Sequence, residues 1–144
     1  MMWIIAKAAR SFLRPHWRRW HETWGPPVPQ TLSQWTCVRS SLMLTDTFNR
    51  RGISATLRSG RGNGFGIRVA GCWESHAWVE ADGQIVDITA DQFGYAPVIV
   101  ARFDHPVYRA AQDSHGQLAP SQAAVDAVAE VWPAWCGYLT GASV

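Results

Sequence analysis

Apolar positions recur at helical intervals over the first 24 residues. Leu13, Trp17, Trp20 and Trp24 follow one another at spacings of four, three and four, which puts them on one face of a helix. Pro15 lies inside this stretch and is expected to kink or restart it, because proline lacks the backbone donor and crowds the preceding turn. Gly25-Pro26-Pro27-Val28-Pro29 ends the pattern, since clustered prolines favour extended backbone. The pattern resumes in TLSQWTCVRSSLMLTDTFNRRG, where a helix is predicted from about Thr36 to Arg51 with Val38, Leu42, Leu44 and Phe48 apolar. Gly52 is placed as its stop, and Cys37 falls in its first turn.

Beyond Gly52 the period changes to two. ISATLRS (53–59) alternates as a strand. SGRGNGFG (59–66) is glycine-rich and reads as a flexible, lid-like loop before IRVAG; it lacks the Lys-Ser or Lys-Thr of a phosphate-binding loop. HAWVEADGQIVDIT (76–89) is a hairpin turning at Asp82-Gly83, a dipeptide that accepts positive φ. That turn pairs Ala81 with Gln84, Trp78 with Asp87 and His76 with Thr89, so His76 and Asp87 become diagonal neighbours on one face. YAPVIVARF (95–103) supplies a further strand, and PSQAAVDAVAEVW (120–132) a closing helix. Helices and strands are segregated, which predicts an α+β fold: the Cys37 helix packed on an antiparallel sheet, with a helix at each end. The organisation expected is an amphipathic, aromatic and basic arm (1–24), a proline-rich linker (25–35) and one main domain (36–144).

Composition narrows the function classes. A chain of 144 residues with 47% hydrophobic and 17% charged residues suits one folded domain. The net charge of +2 conceals an asymmetry, because residues 1–24 carry Lys7, Arg10, Arg14, Arg18 and Arg19 against Glu22 alone. A nucleic-acid binder would spread its basic residues over the folded body, so no nucleic-acid partner is expected. The simplest role for the arm is packing by its Trp face; contact with a membrane surface or a partner protein is the sharper reading of the same pattern. Three cysteines without CxxC or paired His/Cys spacing indicate neither a disulfide framework nor a metal site, and no cofactor is called for. No apolar run reaches the roughly 18 to 20 residues of a membrane span. The opening MMWIIAKAARSFL is a poor secretion signal, so a cytoplasmic location is expected.

Chemistry is concentrated in three residues. A thiol nucleophile must ionise near neutral pH although an ordinary cysteine has a pKa of about 8.5, and the unpaired N–H groups and dipole of a helix start favour the anion. Cys37 is predicted at such a start, while His76 and Asp87 share a hairpin face, so a carboxylate can hold an imidazole in one tautomer. Cys72 reads as a spare buried thiol, Cys136 is assigned nothing, and His105 and His115 read as loop residues.

The blocks Cys37-Val38-Arg39-Ser40-Ser41, Arg50-Arg51-Gly52-Ile53-Ser54-Ala55, His76-Ala77-Trp78-Val79-Glu80 and Asp87-Ile88-Thr89 resemble, in order, those of the transglutaminase-like cysteine-enzyme superfamily. They are especially similar to the enzymes that cut leader peptides from lasso-peptide precursors. Thr89-Ala90-Asp91-Gln92-Phe93-Gly94 followed by APVIV looks instead like a bacterial and phage group of transglutaminase-like proteins. The resemblance implies a papain-like core, with Cys37 as nucleophile on an amide carbonyl, His76 as base and Asp87 as the residue that orients it; peptidase, deamidase and transglutaminase share these residues, and a binding or inhibitory module that keeps the fold without turnover is the rival reading. A peptide or protein substrate follows, with a separate recognition protein or precursor peptide as a further partner. It also implies an oxyanion site built from the Cys37 N–H and one upstream donor, Gln34 first, with Trp35 and Gln30 nearby. Trp78 is expected to pack beside the site, and Gln92, with Asp91 and Phe93, to shape the pocket wall.

Overall fold

In a computed structural model, residues 1–112 and 118–142 are described, and His115 lies outside the described residues. Three helices, α1 (Met2–Trp24), α2 (Cys37–Arg50) and α3 (Gln122–Ala142), pack with two antiparallel sheets. The larger sheet has the order β1 (Ala55–Gly60), β4 (His76–Ala81), β5 (Gln84–Asp87), β6 (Ile99–Arg102). The smaller has the order β3 (Cys72–Glu74), β2 (Gly66–Val69), β7 (Tyr108–Arg109). This is the α+β arrangement the alternation of patterns predicts, with α2 packed on the sheet and a helix at each end.

The hairpin forms in the expected register: Ala81 faces Gln84, Glu80 faces Ile85 and Val79 faces Val86. Asp82 and Gly83 both have positive φ, 50° and 74°, as a two-residue turn matched to strand twist requires. The two-residue period then sorts the side chains. Val79, Ala81, Val86 and Ile88 join the main core with α1, α2 and α3, whereas Trp78 and Ile85 join a second cluster with Ile67 and Tyr108.

α1 belongs to the main core through Leu13 and Trp17. Trp17 is fully buried, and its indole N–H donates to Ser40 Oγ on α2 at 2.9 Å. The aromatic stripe is narrower than the sequence predicts. One turn beyond Trp17 the inward position is taken by His21, which bonds the Leu32 carbonyl oxygen at 2.9 Å; Trp20 is half-buried and Trp24 is 44% exposed. The helix also runs unbroken through Pro15, where a kink or restart is expected. Pro15 and Ser11 are both exposed, so water can satisfy the carbonyl that loses its partner. α3 likewise continues through Pro133, ten residues beyond the predicted end at Trp132.

The glycine-rich stretch is not a flexible loop. Gly62 and Phe65 exchange backbone hydrogen bonds of 2.9 and 3.1 Å, and the chain passes from β1 into β2 through this tight turn. A Cβ on Gly60 would lie 2.1 Å from the Gly66 nitrogen, and one on Gly66 would lie 2.0 Å from the Glu74 oxygen. Glycine is required there because three backbones cross at close range.

Candidate active site

Cys37 is the first residue of α2. Its predecessor Thr36 does not cap the helix: Thr36 Oγ1 donates to the Ser33 carbonyl at 2.7 Å and accepts from Ser40 Oγ at 3.2 Å. The leading N–H groups of α2 are therefore left without a side-chain cap, next to the sulfur. Cys37 is half-buried, whereas Cys72 and Cys136 are exposed free thiols. The burial expected of Cys72 is thus not found: β3 lies in the small sheet and its burial pattern leaves position 72 outward.

His76 opens β4 and Asp87 closes β5, and both are buried. His76 Nε2 and Asp87 Oδ2 are 2.7 Å apart. Asp87 Oδ2 also accepts from the Tyr108 hydroxyl at 2.7 Å, and Oδ1 accepts from the Thr89 N–H at 2.9 Å and Thr89 Oγ1 at 3.3 Å. Burial pushes the Asp87 pKa upward, but the His76 charge and these hydrogen bonds outweigh it and hold the carboxyl below its ordinary value. For His76, burial alone would lower proton affinity, and it is the largest single influence. The Asp87 charge and hydrogen bond, aided by Cys37, overcome it and raise the imidazole to about 10. The Tyr108 hydroxyl is pushed far up by burial and by Asp87, so it stays a donor.

With Nε2 committed to Asp87, the buried Nδ1 makes no hydrogen bond of ordinary geometry among the described residues. Cys37 stands close enough to add to the rise in the imidazole pKa. Both residues line one cleft of about 190 Å³, with Ser59, Gly60, Ser75 and Leu118 among its other walls. The Phe93 ring meets the His76 ring edge-on at 4.9 Å, and Trp78 stacks on it at 5.9 Å.

The remaining residues named from the sequence sit around this cleft rather than in it. Trp78 is 1% exposed and packs behind His76. Gln92 ties two segments together: its Nε2 donates to the Thr89 carbonyl at 3.0 Å, and its Oε1 accepts the Trp35 N–H at 3.3 Å. That bond occupies the Trp35 backbone donor. The Trp35 side chain is 67% exposed, on a residue with φ of 66°, two positions before Cys37. Gln34 is half-buried in the turn closed by its own N–H to Thr31. Asp91 forms a two-pronged pair with Arg10 of α1, at 2.6 and 3.0 Å, and accepts Ser33 Oγ at 2.5 Å.

Tyr108 escaped the sequence reading. It lies in DHPVYRA, outside every periodic segment, and only the general need of a buried tyrosine hydroxyl for a partner hinted at it. Among the described residues no cluster of three or more His, Cys, Asp or Glu is placed to hold a metal ion, and no helix is long and apolar enough to cross a membrane.

A family model described as the transglutaminase-like superfamily matches residues 15–100, more than half of the chain. No curated protein and no solved structure gives a match.

Proposed function

Because the chain belongs to the transglutaminase-like superfamily, we propose that it is a cysteine-dependent amide hydrolase acting on a peptide or protein, with Cys37, His76 and Asp87 as its working residues. The observation that carries this reading is the buried His76–Asp87 pair on a cleft that Cys37 also lines, with the thiol near enough to the imidazole to help raise its pKa. In the reaction, the Cys37 proton rests on His76 Nδ1, in keeping with the raised imidazole pKa, and the thiolate Sγ attacks the amide carbonyl carbon. The C–N bond then breaks as the imidazolium returns that proton to the leaving amine, leaving a thioester on Sγ. Water, deprotonated by Nδ1, attacks the thioester, releases the acid and restores the Cys37 thiolate beside the His76 imidazolium. Asp87 keeps its charge throughout and fixes the ring through Nε2.

The developing oxyanion is held by the uncapped Cys37 N–H, with the Gln34 side chain as the second donor. Cleavage of a leader peptide from a lasso-type precursor is the finer version of this activity, suggested by the similarity of the Cys37, His76 and Asp87 blocks to those of such enzymes.

The test is alkylation by iodoacetamide at mildly acidic pH, located by peptide mass mapping. Cys37 should react faster than the exposed Cys72, and His76→Ala should abolish the difference. Equal labelling of Cys37 and Cys72 in the wild-type protein would end this proposal. With a precursor peptide as substrate, cleavage should be lost in Cys37→Ala, while a mass gain of about 1 Da without cleavage would reassign the reaction to deamidation.

A further inference from the structure

On the flank of α2 facing the two terminal helices there is a second, larger cleft of about 440 Å³, bounded by Trp20 and Trp24 of α1, Arg39 of α2 and Glu130 of α3, with Arg19 and His16 at its side. Among the lining residues, Arg39 reaches both indoles. The guanidinium carbon lies 5.1 Å from the Trp20 ring centroid and 4.9 Å from that of Trp24, so two indoles flank one cation. No carboxylate pairs with Arg39 among the described residues, and the residue is half-buried. A guanidinium has five N–H donors in a planar fork, and stacking on indole faces uses none of them. Burial already lowers the Arg39 pKa, as expected of a cation held without a counter-charge.

The cation is two residues from Cys37 on the same first turn of α2. Exposed Trp35 stands two residues before Cys37, its ring 6.0 Å from that of His21, itself 5.1 Å from Trp24. An aromatic path therefore joins the larger cleft to the end of the helix that bears the thiol.

We infer that this cleft is a recognition site for an acidic segment of the peptide substrate, with a carboxylate received by the Arg39 fork, apolar or aromatic neighbours seated on Trp20 and Trp24, and the chain continuing over Trp35 toward Cys37. The inference rests on the peptide-hydrolase reading. Glu130 on the opposite wall argues for an isolated carboxylate rather than a polyanion, because a nucleic-acid backbone or an anionic lipid surface would set further negative charge against it. Arg19 is engaged with His16, their nitrogens 2.5 Å apart, and adds positive field at the rim. The His16 pKa is lowered by burial and then by Arg19, against the opposing influence of Glu130, so this ring supplies no competing cation at neutral pH.

The experiment is fluorescence anisotropy on full-length Cys37→Ala protein, which prevents turnover. The probe is an acetylated, amidated peptide with one glutamate beside one phenylalanine, labelled with an uncharged dye, and the control is the same peptide with glutamine. The glutamate peptide should bind at least about tenfold more tightly, and Arg39→Gln and Trp24→Ala should each remove that preference. Raising the salt concentration should weaken it. Equal binding of the two peptides, or an undiminished preference in both variants, would overturn the proposal. So would tighter Arg39-dependent binding of an oligothymidine or of phosphatidylglycerol vesicles. In the separate iodoacetamide experiment on the wild-type protein, Cys37 reacting no faster than Cys72 would sink the hydrolase reading while leaving the binding result standing.

Discussion

Replacing Asp87 with Asn keeps the shape of the side chain and removes its charge, and the effect on stability should depend on pH with a definite sign. In the folded protein the His76 pKa is raised to about 10, against about 6.5 in the unfolded chain. Its contribution to stability is therefore fully present below about pH 6.5 and is lost as pH rises through about 10. At about 1.4 kcal/mol per pKa unit, that shift corresponds to about 5 kcal/mol, a large part of a typical domain's 5–15 kcal/mol. Asp87 has the opposite sign. Its folded pKa is depressed, so its share is present above the ordinary carboxylate value and is lost as pH falls through the folded value. In Asp87→Asn, burial is opposed only by Cys37, so the His76 pKa falls and most of the loss on the alkaline side goes with it. The gap between the two proteins should be several kcal/mol between pH 5 and 6.5 and should shrink to about 1 kcal/mol by pH 10.5. Urea unfolding followed by circular dichroism at half-unit pH steps measures it, and the difference cancels groups that titrate alike in both proteins. A gap that stays constant from pH 6 to 10.5 would refute the buried ion pair.

Two further outcomes follow from contacts outside the proposed working residues. Tyr108→Phe removes a 2.7 Å donor from the buried carboxylate and should cost about 1–3 kcal/mol in urea unfolding, with no change in Cys72 labelling. Gly60→Ala places a methyl group 2.1 Å from the Gly66 nitrogen, and should lower stability by about 3 kcal/mol or more and reduce Cys37 labelling, because Gly60 also walls the cleft.

The sequence was most informative where one period ran uninterrupted. The hairpin register could be read from Asp82-Gly83, and with it the shared face of His76 and Asp87, because parity in a two-residue repeat survives small errors at the turn. The position of Cys37 at a helix start was legible from the apolar spacing after it. Three features were not. The glycines at 60 and 66 look like flexibility in a sequence, and only the crossing of backbones reveals that they answer a steric demand. Tyr108 reaches Asp87 from a two-residue strand too short to leave a period. In α1, three indoles and a leucine at helical spacing predicted one buried face, but the inward position after Trp17 went to His21, whose ring could reach the Leu32 carbonyl. The displaced indoles, Trp20 and Trp24, line the second cleft.

The carboxylate of Asp91 grips residues 10 and 33, stretches that lie 81 and 58 positions away along the chain. One short side chain thus buckles the first helix and the approach to Cys37 onto the segment that follows Asp87. Loosening that buckle should change the tempo of the chemistry before it changes the architecture, so harmful substitutions in this protein need not map near the sulfur.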